Sequence, residues 1–114
     1  MITDEDIRKI ARMPIWFTHA RTDTLVKPDQ FVVPTYERLV VAGNTNVHFT
    51  FWDKVLDSTG LYQAPDGTPF EYMGHWSWIP MLNNACTLDY DGSPVTIDGT
   101  PVTILEWIAA QKRA

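Results

Sequence analysis

The chain has 114 residues, is 45% hydrophobic and 20% charged, and carries a formal charge of −5 with a pI near 4.9. That is one domain's length and the composition of a globular chain, not a disordered one. The nine Lys and Arg residues are dispersed, which excludes the clustered positive surface needed for nucleic acid or an anionic membrane, and no apolar run approaches a membrane span.

Residues 1–12 are charged and have a helical pattern, without the apolar stretch of a signal peptide. Thr3, with Asp6 three residues on, forms a capping box, and Ile7, Ile10 and Ala11 fall on one helical face. Met13-Pro14 ends the helix, because a residue before proline is pushed out of the α region. The segment Ile15-Trp16-Phe17-Thr18 is short, apolar and β-rich, as a strand covered on both faces reads. A polar loop from His19 to Thr24 follows.

Pro28 and Asp29 suit a first helical turn, and a second helical stretch is expected from Pro34 to Ala42, stopped by Gly43 and Asn44. Val47-His48-Phe49-Thr50-Phe51-Trp52 is the clearest strand. Val47, Phe49 and Phe51 point one way, and His48, Thr50 and Trp52 the other. The intervening crossover is long enough for the two strands to lie parallel.

From Asp53 to Tyr72 and again from Asp91 to Pro101 the chain reads as irregular, with turn signals at Asp57-Ser58-Thr59-Gly60, Pro65-Asp66-Gly67, Asp91-Gly92 and Asp98-Gly99. A closing helix begins at a second capping box, Thr103 and Glu106. Ile104, Leu105, Ile108 and Ala109 form its apolar face, and Lys112 and Arg113 suit its C-terminal dipole. The expected fold class is α/β: helix, strand, helix, strand, long loops, helix, with Ile15–His19 and Val47–Trp52 parallel, in one partial domain over residues 1–114.

Two side chains carry chemistry. Asp23 follows the first strand and His75 lies in a long loop after the second, 52 positions apart. Parallel sheets present functional groups at the carboxyl ends of their strands, so both should emerge on one edge. A carboxylate that holds an imidazole's tautomer, and an imidazole that takes a proton from a hydroxyl, are the acid and base of acyl transfer. Asp29, Asp53 and Asp57 are rival acids, and a turn or cap role is the alternative for Asp23.

His19 and Asp23 have i, i+4 spacing, but metal ligation would need further ligands that no motif supplies. His48 alternates on a strand and reads as structural. Cys86 is the only cysteine, so no intramolecular disulfide is possible and a buried, inert thiol is expected.

The segment Pro14-Ile15-Trp16-Phe17-Thr18-His19-Ala20-Arg21-Thr22-Asp23-Thr24-Leu25-Val26 resembles the acid strand and loop of serine α/β-hydrolases, most closely esterases and peptidases of the prolyl-oligopeptidase-like and polyhydroxybutyrate-depolymerase-like branches. Tyr72-Met73-Gly74-His75-Trp76-Ser77-Trp78-Ile79 resembles the catalytic-histidine loop of that group, and Thr103 to Gln111 its closing helix. The resemblance implies the C-terminal part of an α/β-hydrolase fold, with Asp23 and His75 as triad members. Trp76 and Trp78 would line an acyl pocket or pack the loop onto the sheet.

The resemblance also implies ester hydrolysis, or peptide hydrolysis, without cofactor or metal. The family's nucleophile sits in a G-x-S-x-G elbow. Ser58, Ser77 and Ser93 lack those flanking glycines, so the serine and its oxyanion-hole donors are expected upstream of Met1. The chain by itself should then be inactive. The alternative is a non-catalytic module. On either reading the expected partners are a second copy of the chain or a complementary N-terminal hydrolase chain, because strands cut from a larger sheet leave an unpaired edge.

Overall fold

A computed structural model describes residues 2–111. The first helix, α1 (Asp4–Ile10), starts at Thr3 with both hydrogen bonds of the capping box in place. Strand β1 spans Ile15–Ala20, α2 spans Val32–Val41 and β2 spans Val47–Trp52. β1 and β2 pair in parallel from Ile15–Val47 to Ala20–Trp52.

Helix α2 begins two residues before Pro34. Its N-cap, Phe31, has no side-chain cap bond, and Pro34 fits the first turn because N–H groups there have no intrahelical partner. At its other end Gly43 adopts φ 92°. The Asn44 N–H reaches the Leu39 carbonyl and the Gly43 N–H the Val40 carbonyl, which is the Schellman stop.

One face of the β1–β2 pair packs on the helices. Ile7, Leu39 and Val47 are buried together, with Ile10, Ile15, Phe17 and Tyr36 against them. Phe49, fully buried, contacts the Tyr36, Phe51 and Tyr90 rings. The opposite face carries Trp16, His48 and Thr50. Trp16 Nε1 donates to Thr50 Oγ1 at 2.9 Å, the Cys86 thiol donates to the same oxygen, and the Trp107 ring meets both Trp16 and His48 edge-on.

The expected α/β-hydrolase portion is not what the rest of the chain builds. The stretches read as long loops contain two antiparallel ribbons and a short helix. β3 (Val55–Leu56) pairs with β4 (Glu71–Tyr72), α3 spans Trp78–Leu82, and β5 (Thr96–Ile97) pairs with β6 (Thr100–Pro101). Among the described residues the strands form three separate two-stranded sheets, one parallel and two antiparallel.

The fold is therefore mixed, and the correction has a local cause. Asp98 and Gly99 both take positive φ, 50° and 81°, the backbone of a two-residue type I′ hairpin. A turn signal that suggested only irregular chain in fact closes a ribbon. A closing helix, α4 (Ile104–Ala110), follows Thr103 with its capping box complete. Lys112 and Arg113, expected at its C-terminal dipole, lie outside the described residues.

One edge of the parallel pair is plugged. Asp89 Oδ1 accepts the outward Phe49 N–H at 3.1 Å, while its Oδ2 lies 2.8 Å from His48 Nδ1. Replacing Asp89 with alanine leaves the Phe49 N–H and His48 Nδ1 without this partner. Asp89→Ala is expected to lose about 1–3 kcal/mol of stability in urea unfolding, and Asp89→Asn less, because an amide oxygen still accepts from Phe49.

Candidate functional site

Asp23 follows β1 directly, and its carboxylate is locked by its own loop. Oδ1 accepts the N–H groups of Leu25 at 3.0 Å and Val26 at 2.9 Å. This side-chain-to-backbone turn needs a short acidic or amide side chain. It also turns the other oxygen, Oδ2, away from the loop. The side chain is only 4% exposed.

His75 reaches Oδ2 with Nδ1 at 3.0 Å. An ionised carboxylate only accepts, so Nδ1 carries the proton and Nε2 holds the lone pair of the neutral ring. The imidazole side chain is 44% exposed. Among the described residues, nothing bonds Nε2. Burial pushes the Asp23 carboxyl up, but the bonds from Val26, His75 and Leu25, together with the His75 charge, outweigh it, so the acid sits below its ordinary range.

Gly74 makes the contact possible. A Cβ there would lie 2.3 Å from the Thr22 carbonyl carbon and 2.5 Å from the Asp23 nitrogen. The histidine loop therefore rests directly on the backbone of the acid loop, and only glycine allows that approach.

His19, expected at the junction of the first strand and the polar loop, is the fifth residue of β1. Its Nε2–H donates to the Val26 carbonyl at 2.9 Å and lies 3.1 Å from Asp23 Oδ2. Both neighbours are acceptors, which places the proton on Nε2. His19 thus ties the end of the acid loop back to the strand and braces the carboxylate from the side away from its own loop. The i, i+4 spacing was the signal for this contact. Its meaning depended on the loop after β1 folding back onto the strand.

The rival acids are engaged elsewhere. Asp57 is buried, but its carboxylate accepts from Thr59, Gly60, Tyr62 and Tyr72. Asp53 pairs with Arg21 at the surface. A cleft of about 440 Å³ opens beside the acid loop and includes Asp29, Lys27, Phe51 and Tyr90 in its wall, but not His75.

His48 has a neighbour at each ring nitrogen: Nδ1 faces Asp89 at 2.8 Å and Nε2 faces the Asn46 amide oxygen at 3.1 Å. An imidazole engaged on both sides suits the structural role expected for it. Cys86 is fully buried, and burial pushes its thiol up to about 11 against the opposing Thr50 hydrogen bond, so it is inert as a nucleophile.

Trp76 and Trp78 flank the histidine at the surface, 43% and 51% exposed, with ring centroids 6.5 Å apart. Ser77, between them, precedes α3 without a side-chain cap bond and makes no hydrogen bond with His75. Among the described residues, no group of three His, Cys, Asp or Glu is placed to hold a metal ion, and no helix is long and apolar enough to cross a membrane. Comparison with protein-family models, curated proteins and solved structures finds no match for the chain.

Two predictions follow from this geometry. Gly74→Ala forces the two loops apart and should cost about 1–3 kcal/mol in urea unfolding. The same change should shift the His75 ring nitrogen-15 resonances to those of an imidazole without a carboxylate partner. For Asp23, the folded value lies below the unfolded one of roughly 3.9, so its contribution is complete above that pH and is lost as the pH falls through the folded value. The stability difference between the wild type and Asp23→Asn should therefore shrink as the pH falls below about 4, read from denaturation midpoints across pH.

Proposed function

We propose that Asp23 and His75 are the acid and base of a serine-hydrolase site for carboxylic esters, or peptides, whose nucleophile comes from another polypeptide segment. The observation that carries this reading is the one-sided imidazole. His75 is held through Nδ1 by a buried, ionised carboxylate, while Nε2 has no hydrogen-bond partner among the described residues. His48, by contrast, has a polar neighbour within hydrogen-bonding distance of each ring nitrogen.

In this role His75 Nε2 takes the hydroxyl proton as the serine attacks the acyl carbon, then returns it to the leaving group. Asp23 fixes the tautomer and stabilises the imidazolium that forms between those steps. Trp76 and Trp78 give the exposed side of the histidine an apolar flank suited to an acyl chain. The resemblance of the two loops to those of serine hydrolases supports the same assignment, although it does not extend to the sheet.

No serine of this chain bonds His75, so the isolated chain should neither turn over p-nitrophenyl acetate nor react with a fluorophosphonate. A tagged copy purified from its own cells should carry with it a fluorophosphonate-labelled serine polypeptide. His75→Ala should slow that labelling at least ~10²-fold, the lower range for loss of a general base. Labelling that is indifferent to His75→Ala would sink the assignment. Turnover by the isolated chain that disappears with His75→Ala would place the nucleophile within it and overturn the divided site.

A further inference from the structure

The two edges of the β1–β2 pair differ. The register and the bonds from Ile15 N–H to the Asn46 carbonyl and from Arg21 N–H to the Trp52 carbonyl fix the direction of every backbone group. Odd-numbered residues of β1 point their N–H and C=O at β2, and even-numbered ones point away. Outward on β2 lie Val47, Phe49 and Phe51; Val47 and Phe49 are buried, and Asp89 caps the Phe49 N–H. Outward on β1 lie Trp16 and Thr18. Among the described residues their N–H and C=O groups have no partner.

The outer edge of β1 also lacks the devices that keep strands apart. Ile15–Ala20 contains no Lys, Arg, Asp, Glu or Pro, carries no bulge, and is only partly buried through His19. The accessible stretch is bounded. Pro14 has no N–H, and Ala20 is fully buried with its carbonyl already bonded to the Asp23 N–H.

We infer that β1 is the seam of a homodimer in which two copies pair antiparallel about a two-fold axis through Phe17. In this register Trp16 of one copy opposes Thr18 of the other, and each opposed pair exchanges both N–H···O bonds. All the free outward groups of Trp16 and Thr18 in both copies are then satisfied by one isologous contact. A second copy is the occupant that this edge fits, because the short accessible stretch is complementary to itself about its centre. The result is a four-stranded sheet, β2-β1-β1-β2, with Asp89 on the Phe49 N–H at each outer edge. The two Asp23–His75 pairs lie at opposite ends of the seam, each beyond Ala20 of its own copy.

Sedimentation velocity on the full chain should show a species of twice the 13.0 kDa chain mass at about 100 µM, dissociating on dilution. Thr18→Pro removes only an outward N–H and leaves the β1–β2 ladder intact, as proline does on edge strands. It should weaken association at least ~10-fold, while Thr18→Val should not. A wild type that stays monomeric at that concentration, or a dimer indifferent to Thr18→Pro, overturns the inference.

Amide hydrogen exchange on the wild-type chain decides the matter even if Thr18→Pro fails to fold. In dilute solution Phe17 and His19 should be protected and Trp16 and Thr18 should exchange fast. In the dimer all four should be slow. Trp16 and Thr18 amides that still exchange fast in the dimer place the contact elsewhere and overturn the seam.

Discussion

The six register pairs between β1 and β2 organise everything else in this chain. A parallel pair is buried on both faces or it is not stable, and here each face is covered differently. Helices α1 and α2 close one side over Phe17, Val47 and Phe49. The segment around Cys86 and Leu88, with Trp107 of α4, closes the other over Trp16, His48 and Thr50. Because both strands run the same way, the loop after β1 and the chain leaving β2 start from one end of the sheet. The acid and the histidine can meet there although 52 positions separate them.

The two histidine–aspartate pairs show how surroundings divide one chemistry into two uses. His48 and Asp89 sit between aromatic rings, with the second ring nitrogen facing Asn46, and the carboxylate also caps a strand edge. Such a pair is a fastener: it joins the 86–90 segment to β2, and its imidazole is engaged on both sides. The Asp23–His75 pair is built from the same groups, but its carboxylate is fixed by backbone N–H donors in its own loop and braced by His19. The imidazole then has one nitrogen held and one free, the arrangement that proton transfer needs. Distances of 2.8 and 3.0 Å do not separate the two pairs. The partner of the second nitrogen does.

The ribbons β3–β4 and β5–β6 mark where the mixed fold departs from a purely parallel one. Each strand is two residues long, too short to stand without the turns that join them or the body they lean on. They are products of local turn chemistry rather than extensions of the central sheet. The first ribbon leads back through Tyr72 and Met73 to Gly74, and so brings the histidine loop onto the acid loop.

Much of this was legible in the sequence because it rests on local physics. The capping boxes at Thr3 and Thr103, the Gly43 stop of α2, the alternation along β2 and the parallel pairing follow from short-range hydrogen bonding and from side-chain periods of 3.6 and 2. The pairing of Asp23 with His75 was reached from their places after the two strands and from the likeness of their loops to a known group. Other features could not be reached that way. The contact of His19 with Asp23, which turns an i, i+4 spacing into a brace, depends on the loop after β1 folding back onto the strand. The exposure of Trp76 and Trp78, the engagement of His48 by Asp89 and the close approach demanded of Gly74 depend on contacts between segments distant in the chain. Sequence alone determined where the carboxylate, the imidazole and the turns lie along the chain. Tertiary structure decided which nitrogen stays free and which strand edge stays open, because both are set by whatever neighbour the fold brings, or does not bring, within hydrogen-bonding distance.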